Sequence, residues 1–248
     1  MRPNLLIAIV LAALSLAGSA LAAEVKVAVA ANFTEPAREI AARFKARTGN
    51  DAILSSGASG QFYAQIANGA PFEVFLSADR ERPEKAEAEG LGVPGSRFTY
   101  AVGRLVLFSK TPGLVDGRGA VLKSGRFQKL AVADPKVAPY GVAAIETMRK
   151  LDVYDALRPK LVQGTSITQA YQFVDTGAAE LGFLALSQVV TFRGGSRWLV
   201  PAADHTPIDQ QAVLLKAGAA NPAAKAFMAF LKGAEARAII RRYGYEVP

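Results

Sequence analysis

From Val25 onward the chain alternates short aliphatic runs with helical stretches, and the joins between them are small and polar. Val25-Lys-Val-Ala-Val-Ala-Ala31 reads as a strand. After Asn32-Phe33-Thr34, the apolar residues Ala37, Ile40, Ala41 and Phe44 fall three and four apart, which predicts a helix with one buried face. Thr34 is placed to cap that helix, and Pro36 fits its first turn. A second unit runs Ala52-Ile-Leu54, then Ser55-Ser-Gly-Ala-Ser-Gly60, then a helix through Phe62, Tyr63 and Ile66 that should stop near Asn68-Gly69. A third is Leu130-Ala-Val-Ala133, a turn from Asp134 to Tyr140, and a helix carrying Ala144, Ile145, Met148 and Leu151. The fourth is Lys160-Leu-Val162, Gln163-Gly-Thr-Ser166, and a helix with Ile167, Ala170, Tyr171 and Val174 on one face.

Strands alternating with helices predict α/β architecture built on mostly parallel sheets. Two long strand-like runs, Phe98 to Phe108 and Ile208 to Leu215, interrupt the rhythm next to turn-rich stretches at Gly113 to Gly125 and Pro201 to Pro207. They read as two crossings between lobes. Residues 24–102 and 206–248 would then form lobe I, and 103–205 an inserted lobe II. Asn221-Pro222 should open a closing helix whose Phe227, Phe230, Leu231 and Ala234 face inward.

The N-terminus adds a destination. Arg2, the apolar run Leu5 to Leu16 and the small residues Gly18-Ser-Ala-Leu-Ala-Ala23 form a signal-peptide pattern over residues 1–23, with cleavage expected near Ala22 or Ala23 and release to the periplasm. The run is shorter than the roughly 20 residues a spanning helix needs. The chain has no cysteine, so disulfides, thiolate chemistry, zinc-thiolate sites and a lipoprotein anchor are excluded. Its 51% hydrophobic content has to supply the core. The formal charge of +8 is dispersed among acidic residues, as in Glu35, Arg38, Glu39, Arg43, Lys45 and Arg47, so a nucleic-acid surface is not expected.

Chemistry is concentrated at the strand-to-helix turns. Each presents unpaired N–H groups and the positive end of a helix dipole, and the residues there (Asn32, Ser55, Ser56, Ser59, Gly60, Tyr140, Gly141, Thr165 and Ser166) are neutral. Any one of these turns is accounted for by ordinary helix capping. Four together, two in each lobe, form a candidate oxyanion site that selects by shape and donor count. Catalytic readings are weaker. The single histidine, His205, has no G-x-S-x-G elbow to serve, Asp79 reads as a helix cap, and neither cation-ligand clusters nor phosphate-loop patterns occur.

Several segments resemble the periplasmic molybdate-binding proteins of ABC transporters: Ala30-Ala-Asn-Phe-Thr34, Ser55 to Gly60, Gln65 to Asp79, Asp134 to Gly141 and Arg242-Tyr-Gly-Tyr245. The resemblance implies a type II periplasmic binding fold that closes on molybdate or tungstate, with no cofactor and no cation site. It implies a monomer that delivers its ligand to a membrane permease. Motif matching puts ligand contacts at Asn32 with Ala31 beside it, at Ser59 or the adjacent Gly60, and at the backbone N–H groups of Tyr140 and Ile167. Ala58 and Ser166 are further positions in the same turns. Where some relatives carry a ligand tyrosine, the segment Leu181-Gly-Phe-Leu-Ala185 ends in an alanine that cannot donate. Three other readings differ in what they require: a receptor for sulfate, phosphate or an organic anion, a serine hydrolase using His205, and an effector-sensing domain of a regulator.

Overall fold

The computed structural model describes residues 23–248. All of the expected signal segment except Ala23 lies outside the described residues. In chain order the strands are β1 (Glu24–Ala30), β2 (Asp51–Gly57), β3 (Val74–Leu76), β4 (Phe98–Gly103), β5 (Leu105–Ser109), β6 (Leu130–Ala133), β7 (Leu161–Gly164), β8 (Leu181–Ala185), β9 (Ser196–Leu199) and β10 (Ile208–Leu214). The helices are α1 (Thr34–Thr48), α2 (Ser59–Ala67), α3 (Glu81–Ala88), α4 (Ala120–Ser124), α5 (Pro139–Lys150), α6 (Tyr154–Leu157), α7 (Ile167–Asp175), α8 (Leu186–Val189), α9 (Pro222–Lys232) and α10 (Ala234–Arg242).

Two five-stranded sheets result, ordered β2-β1-β3-β10-β4 and β7-β6-β8-β5-β9. Both are mixed but mostly parallel, as the sequence pattern suggested, with one strand in each running against the other four. In the first, β1 pairs in parallel with β2 and β3, while β10 runs antiparallel to β3 and β4. In the second, β6 is parallel to β7 and β8, while β5 is antiparallel to β8 and β9. The cause is the crossing between lobes. The odd strand of each sheet is one that has just crossed: β5 enters the second sheet straight from β4, with only Arg104 between them, and β10 enters the first on the return from the second lobe.

Burial explains the pairing of helices with sheets. Val25, Val27 and Val29 of β1 point to the side covered by Ala37, Ile40 and Phe44 of α1 and by Phe227 of α9, and all are buried. Phe44 and Phe227 meet edge to face at 5.3 Å. Each large side chain so buried stabilises the fold by about 1.5–3 kcal/mol. The second lobe repeats the arrangement, with Leu130 and Val132 of β6 in one cluster with Ala144 and Met148 of α5 and with Ala170 and Val174 of α7.

Three helix boundaries are instructive. α2 stops where expected, at Asn68, because Gly69 adopts φ 84°, which a side chain would strain. The closing helix, expected to be continuous, is broken. α9 is capped by Asn221, whose side chain accepts the Ala223 N–H at 2.9 Å, and it ends at Lys232; Gly233, extended at φ −73° and ψ 162°, turns the chain into α10. Thr34 is not a cap. A 3₁₀ turn, Ala31–Phe33, runs straight into α1, and the Thr34 hydroxyl donates back to the Ala31 carbonyl at 2.9 Å.

Candidate functional site

The carboxyl ends of the parallel strands of both sheets face each other, which brings the helix N-termini together. Between them lies a small cavity of about 10 Å³. That is below the roughly 300–1,000 Å³ of pockets for organic ligands. Asn32, Ala58, Ser59 and Ala78 line it from the first lobe, and Ala138, Tyr140 and Ile167 from the second. None of the lining residues is charged.

The donors follow from position. Ser59 and Ile167 open α2 and α7, and Tyr140 is the second residue of α5, behind Pro139. These are N–H groups that helical bonding leaves without a carbonyl partner. Asn32 lies in the 3₁₀ turn that enters α1, so its N–H is left in the same way. The Ser59 hydroxyl is only 2% exposed and accepts the Ala78 N–H at 2.9 Å, so its own proton remains to be donated. The arrangement can therefore surround a small anion with fixed neutral donors and four helix N-termini, supplied equally by the two lobes.

Asn32, Ser59, Tyr140, Ile167, Ala31 and Ala58 all line this cavity. Gly60 does not. Its N–H donates across the cleft to the Val137 carbonyl at 2.9 Å, so it joins the lobes and is not free for a ligand. Ser166 also stands apart. It caps α7 by accepting the Gln169 N–H at 3.3 Å and faces the outer groove, beside Thr165 and Gln169. Asp79 accepts the Arg82 N–H at 3.0 Å at the start of α3 and pairs with the Arg82 guanidinium, as a helix-capping carboxylate does. His205 Nδ1 sits 2.8 Å from the Thr206 carbonyl and outside the cavity. Ala185 is fully buried and also outside it.

Beneath the cavity is a polar network with no counterpart in the sequence reading. Asn32 Nδ2 donates to Gln210 Oε1 at 2.8 Å and to the Tyr245 hydroxyl at 2.9 Å. Gln210 Oε1 also accepts from the Tyr100 hydroxyl at 3.1 Å, and Gln210 Nε2 donates to the Tyr140 hydroxyl at 3.3 Å. The Asn32 carbonyl accepts from Ser187 Oγ at 2.8 Å and from Tyr245 at 2.7 Å. Both Nδ2 hydrogens of Asn32 are thus engaged behind the cavity, which leaves its backbone N–H as the group it turns toward a ligand. The local signal that existed was Gln210-Gln211, a polar pair inside the apolar run of β10.

Burial pushes the Tyr100 and Tyr140 phenols well above their ordinary values, and it pushes Tyr245 up to about 12 even though its hydrogen bonds to Ser187 and Asn32 act in the opposite direction. All three stay protonated at neutral pH and keep the cavity floor uncharged. The unfolded chain loses phenolic protons near pH 10, before the folded chain does, so stability from these groups is present below about pH 10 and is lost as pH rises toward about 12. Melts followed by circular dichroism should give a midpoint that is flat from about pH 6 to 9 and falls above about 10. A fall between pH 7 and 9 would contradict this assignment.

Comparison with known proteins follows the same lines. Residues 25–246 match the family model described as bacterial extracellular solute-binding protein. The chain is 60% identical over 232 residues to the molybdate-binding protein ModA of Rhodobacter capsulatus, covering 94% of this chain and 92% of that one. It is 57% identical over 233 residues to the molybdate-binding protein ModA of Azotobacter vinelandii, covering 93% and 92%. A solved structure, the periplasmic molybdate-binding protein of Azotobacter vinelandii, superposes with a TM-score of 0.87 at 44% identity, covering 90% of this chain and 99% of that one.

Proposed function

This chain belongs to the bacterial extracellular solute-binding proteins, and on that basis we propose that it captures molybdate outside the cytoplasm and delivers it to an ABC importer. It works by binding and not by catalysis. One observation supports the reading above the rest: an uncharged cavity between two lobes, walled by helix N-termini from both. A dianion held there contacts both lobes at once, so it favours the closed form by as much as that form binds it more tightly. The donors are Ser59 through its hydroxyl and N–H, and Asn32, Tyr140 and Ile167 through their N–H groups. Gly60 serves the lobe contact instead.

Tungstate shares molybdate's charge and tetrahedral shape and is bound by the same groups. Sulfate and phosphate are smaller, and fixed donors cannot follow them inward. The receptor acts as a monomer in the periplasm after cleavage near Ala22 or Ala23, and its closed form is what the permease recognises.

Thermal unfolding of the mature protein with each anion tests the reading. At a hundredfold excess over Kd, ligand linkage adds about 2.7 kcal/mol, which for a chain of this size raises the midpoint by roughly 5–10 °C. Molybdate and tungstate should do so and sulfate and phosphate should not. A shift with sulfate alone would overturn the assignment.

A further inference from the structure

We propose that Tyr245, three residues before the last residue, is a positioning residue for the bound anion, which it serves by bridging Asn32 to Ser187 of the other lobe when the lobes close. The inference rests on the anion-receptor reading above and adds to it a part played by the tail of the chain.

The tail is held where it can act. Val102, at the end of β4, exchanges backbone hydrogen bonds with Glu246 at 2.7 and 3.1 Å, next to the point where the chain crosses between lobes. The Glu246 carboxylate meets Arg104 of the crossing at 2.6 Å. Gly244 packs against Leu186 of α8 in the second lobe. Tyr245 is thereby aimed inward. Its ring sits edge to face on Phe33 at 5.5 Å, and its hydroxyl, in a residue 5% exposed, reaches beneath the cavity.

There the hydroxyl makes three contacts. It accepts from Asn32 Nδ2, and it lies 2.7 Å from the Asn32 carbonyl and 2.9 Å from Ser187 Oγ. Asn32 is held at both its side chain and its carbonyl, which fixes the Cα from which its N–H turns toward the cavity. Ser187, at the start of α8, is in the second lobe, so Ser187 Oγ to the Asn32 carbonyl and Tyr245 to Ser187 Oγ are bonds between lobes. They form only on closure. Gln210 to Tyr140 is a third bond of this kind, and it passes Gly103, where any Cβ would overlap the Tyr140 hydroxyl. Tyr245 therefore joins three things: the crossing, Asn32 and the opposite lobe.

Tyr245→Phe keeps the ring on Phe33 and removes only the bridge. Molybdate affinity should fall about 10- to 100-fold, the scale of one or two buried hydrogen-bond groups left unpaired. The loss should lie in the off-rate, with the on-rate within about twofold, because encounter precedes closure. Ser187→Ala should give a similar loss, and the double variant should be no more than about twofold worse than the weaker single one, since both remove one shared bridge. A role confined to anchoring the tail would instead lower the ligand-free unfolding midpoint and leave the molybdate off-rate and the Ser187 coupling unchanged. That result, or additive losses, would overturn the inference. Stopped-flow kinetics and calorimetry with molybdate on the wild type and the three variants give all of these values. Failure of the wild type to bind molybdate would sink the functional reading itself, which separates the two cases.

Discussion

Replacing Ser59 by Asp should abolish molybdate binding. Ser59 is buried at the cavity wall, opens α2 and accepts the Ala78 N–H, which leaves its hydroxyl proton to be donated. A carboxylate there meets a dianion at close range. At 4 Å and an effective dielectric of 20, each pair of unit charges repels by about 4 kcal/mol, so the dianion pays roughly 8 kcal/mol and affinity drops more than about 10⁵-fold. If the buried carboxyl takes up a proton to escape this, it still replaces a fitted donor with a larger group. Ser59→Ala should be milder, at about 10- to 100-fold, from one lost donor and from the Ala78 N–H left without its acceptor. Calorimetric titration of both variants checks the order. A Ser59→Asp protein that binds within tenfold of wild type would remove Ser59 from the anion's surroundings.

Gly141→Ala should also be damaging, by geometry and without any added charge. A Cβ on Gly141 would overlap the Ala133 carbonyl oxygen and lie 2.9 Å from the Pro135 nitrogen, and both are backbone atoms that cannot rotate away. The first turn of α5 would have to lift from the end of β6 and carry the Tyr140 N–H with it. The expected cost is about 1–3 kcal/mol of stability from overpacking. The misplaced donor should weaken molybdate binding by roughly a hundredfold, the scale of a hydrogen bond to a charged group. Unfolding by denaturant measures the first effect and titration of the still-folded variant measures the second. Wild-type affinity would show that Tyr140 is not a donor.

These expectations rest on features the sequence carried unevenly. The strand-to-helix units were legible because burial on one face imposes local periodicity. Val25, Val27 and Val29 alternate along β1, and Ala37, Ile40 and Phe44 recur at helical spacing in α1. The four turns stood out only as a set, since capping explains any one of them, and the structure gathers Asn32, Ser59, Tyr140 and Ile167 around one cavity. Gly60 shows where local reading stops. A glycine suits the turn as the pattern required, but its N–H is committed to Val137, in the opposite lobe. Nothing within a turn announces such a partner.

The polar network was beyond reach for a related reason. Asn32 lies 178 residues from Gln210 and 213 from Tyr245, so their pairing has no periodicity to betray it. Which strand of each sheet would run against the rest, β10 in one and β5 in the other, was not legible either. A run such as Phe98 to Phe108 reads as a single strand, while the fold divides it at Arg104 between two sheets. The missing phenolic donor at Ala185 has a partial explanation in the same network. Asn32 is held from behind by Tyr245 and Gln210, so the residue at the cavity wall is fixed without a tyrosine from β8.

Anomalous diffraction at the molybdenum edge, from crystals of the mature protein grown with molybdate, tests the central claim most directly. The account predicts one strong peak between the lobes, within hydrogen-bonding reach of the Ser59 hydroxyl and of the Asn32, Tyr140 and Ile167 N–H groups. A peak against surface lysines or arginines, with none in the cavity, would contradict it.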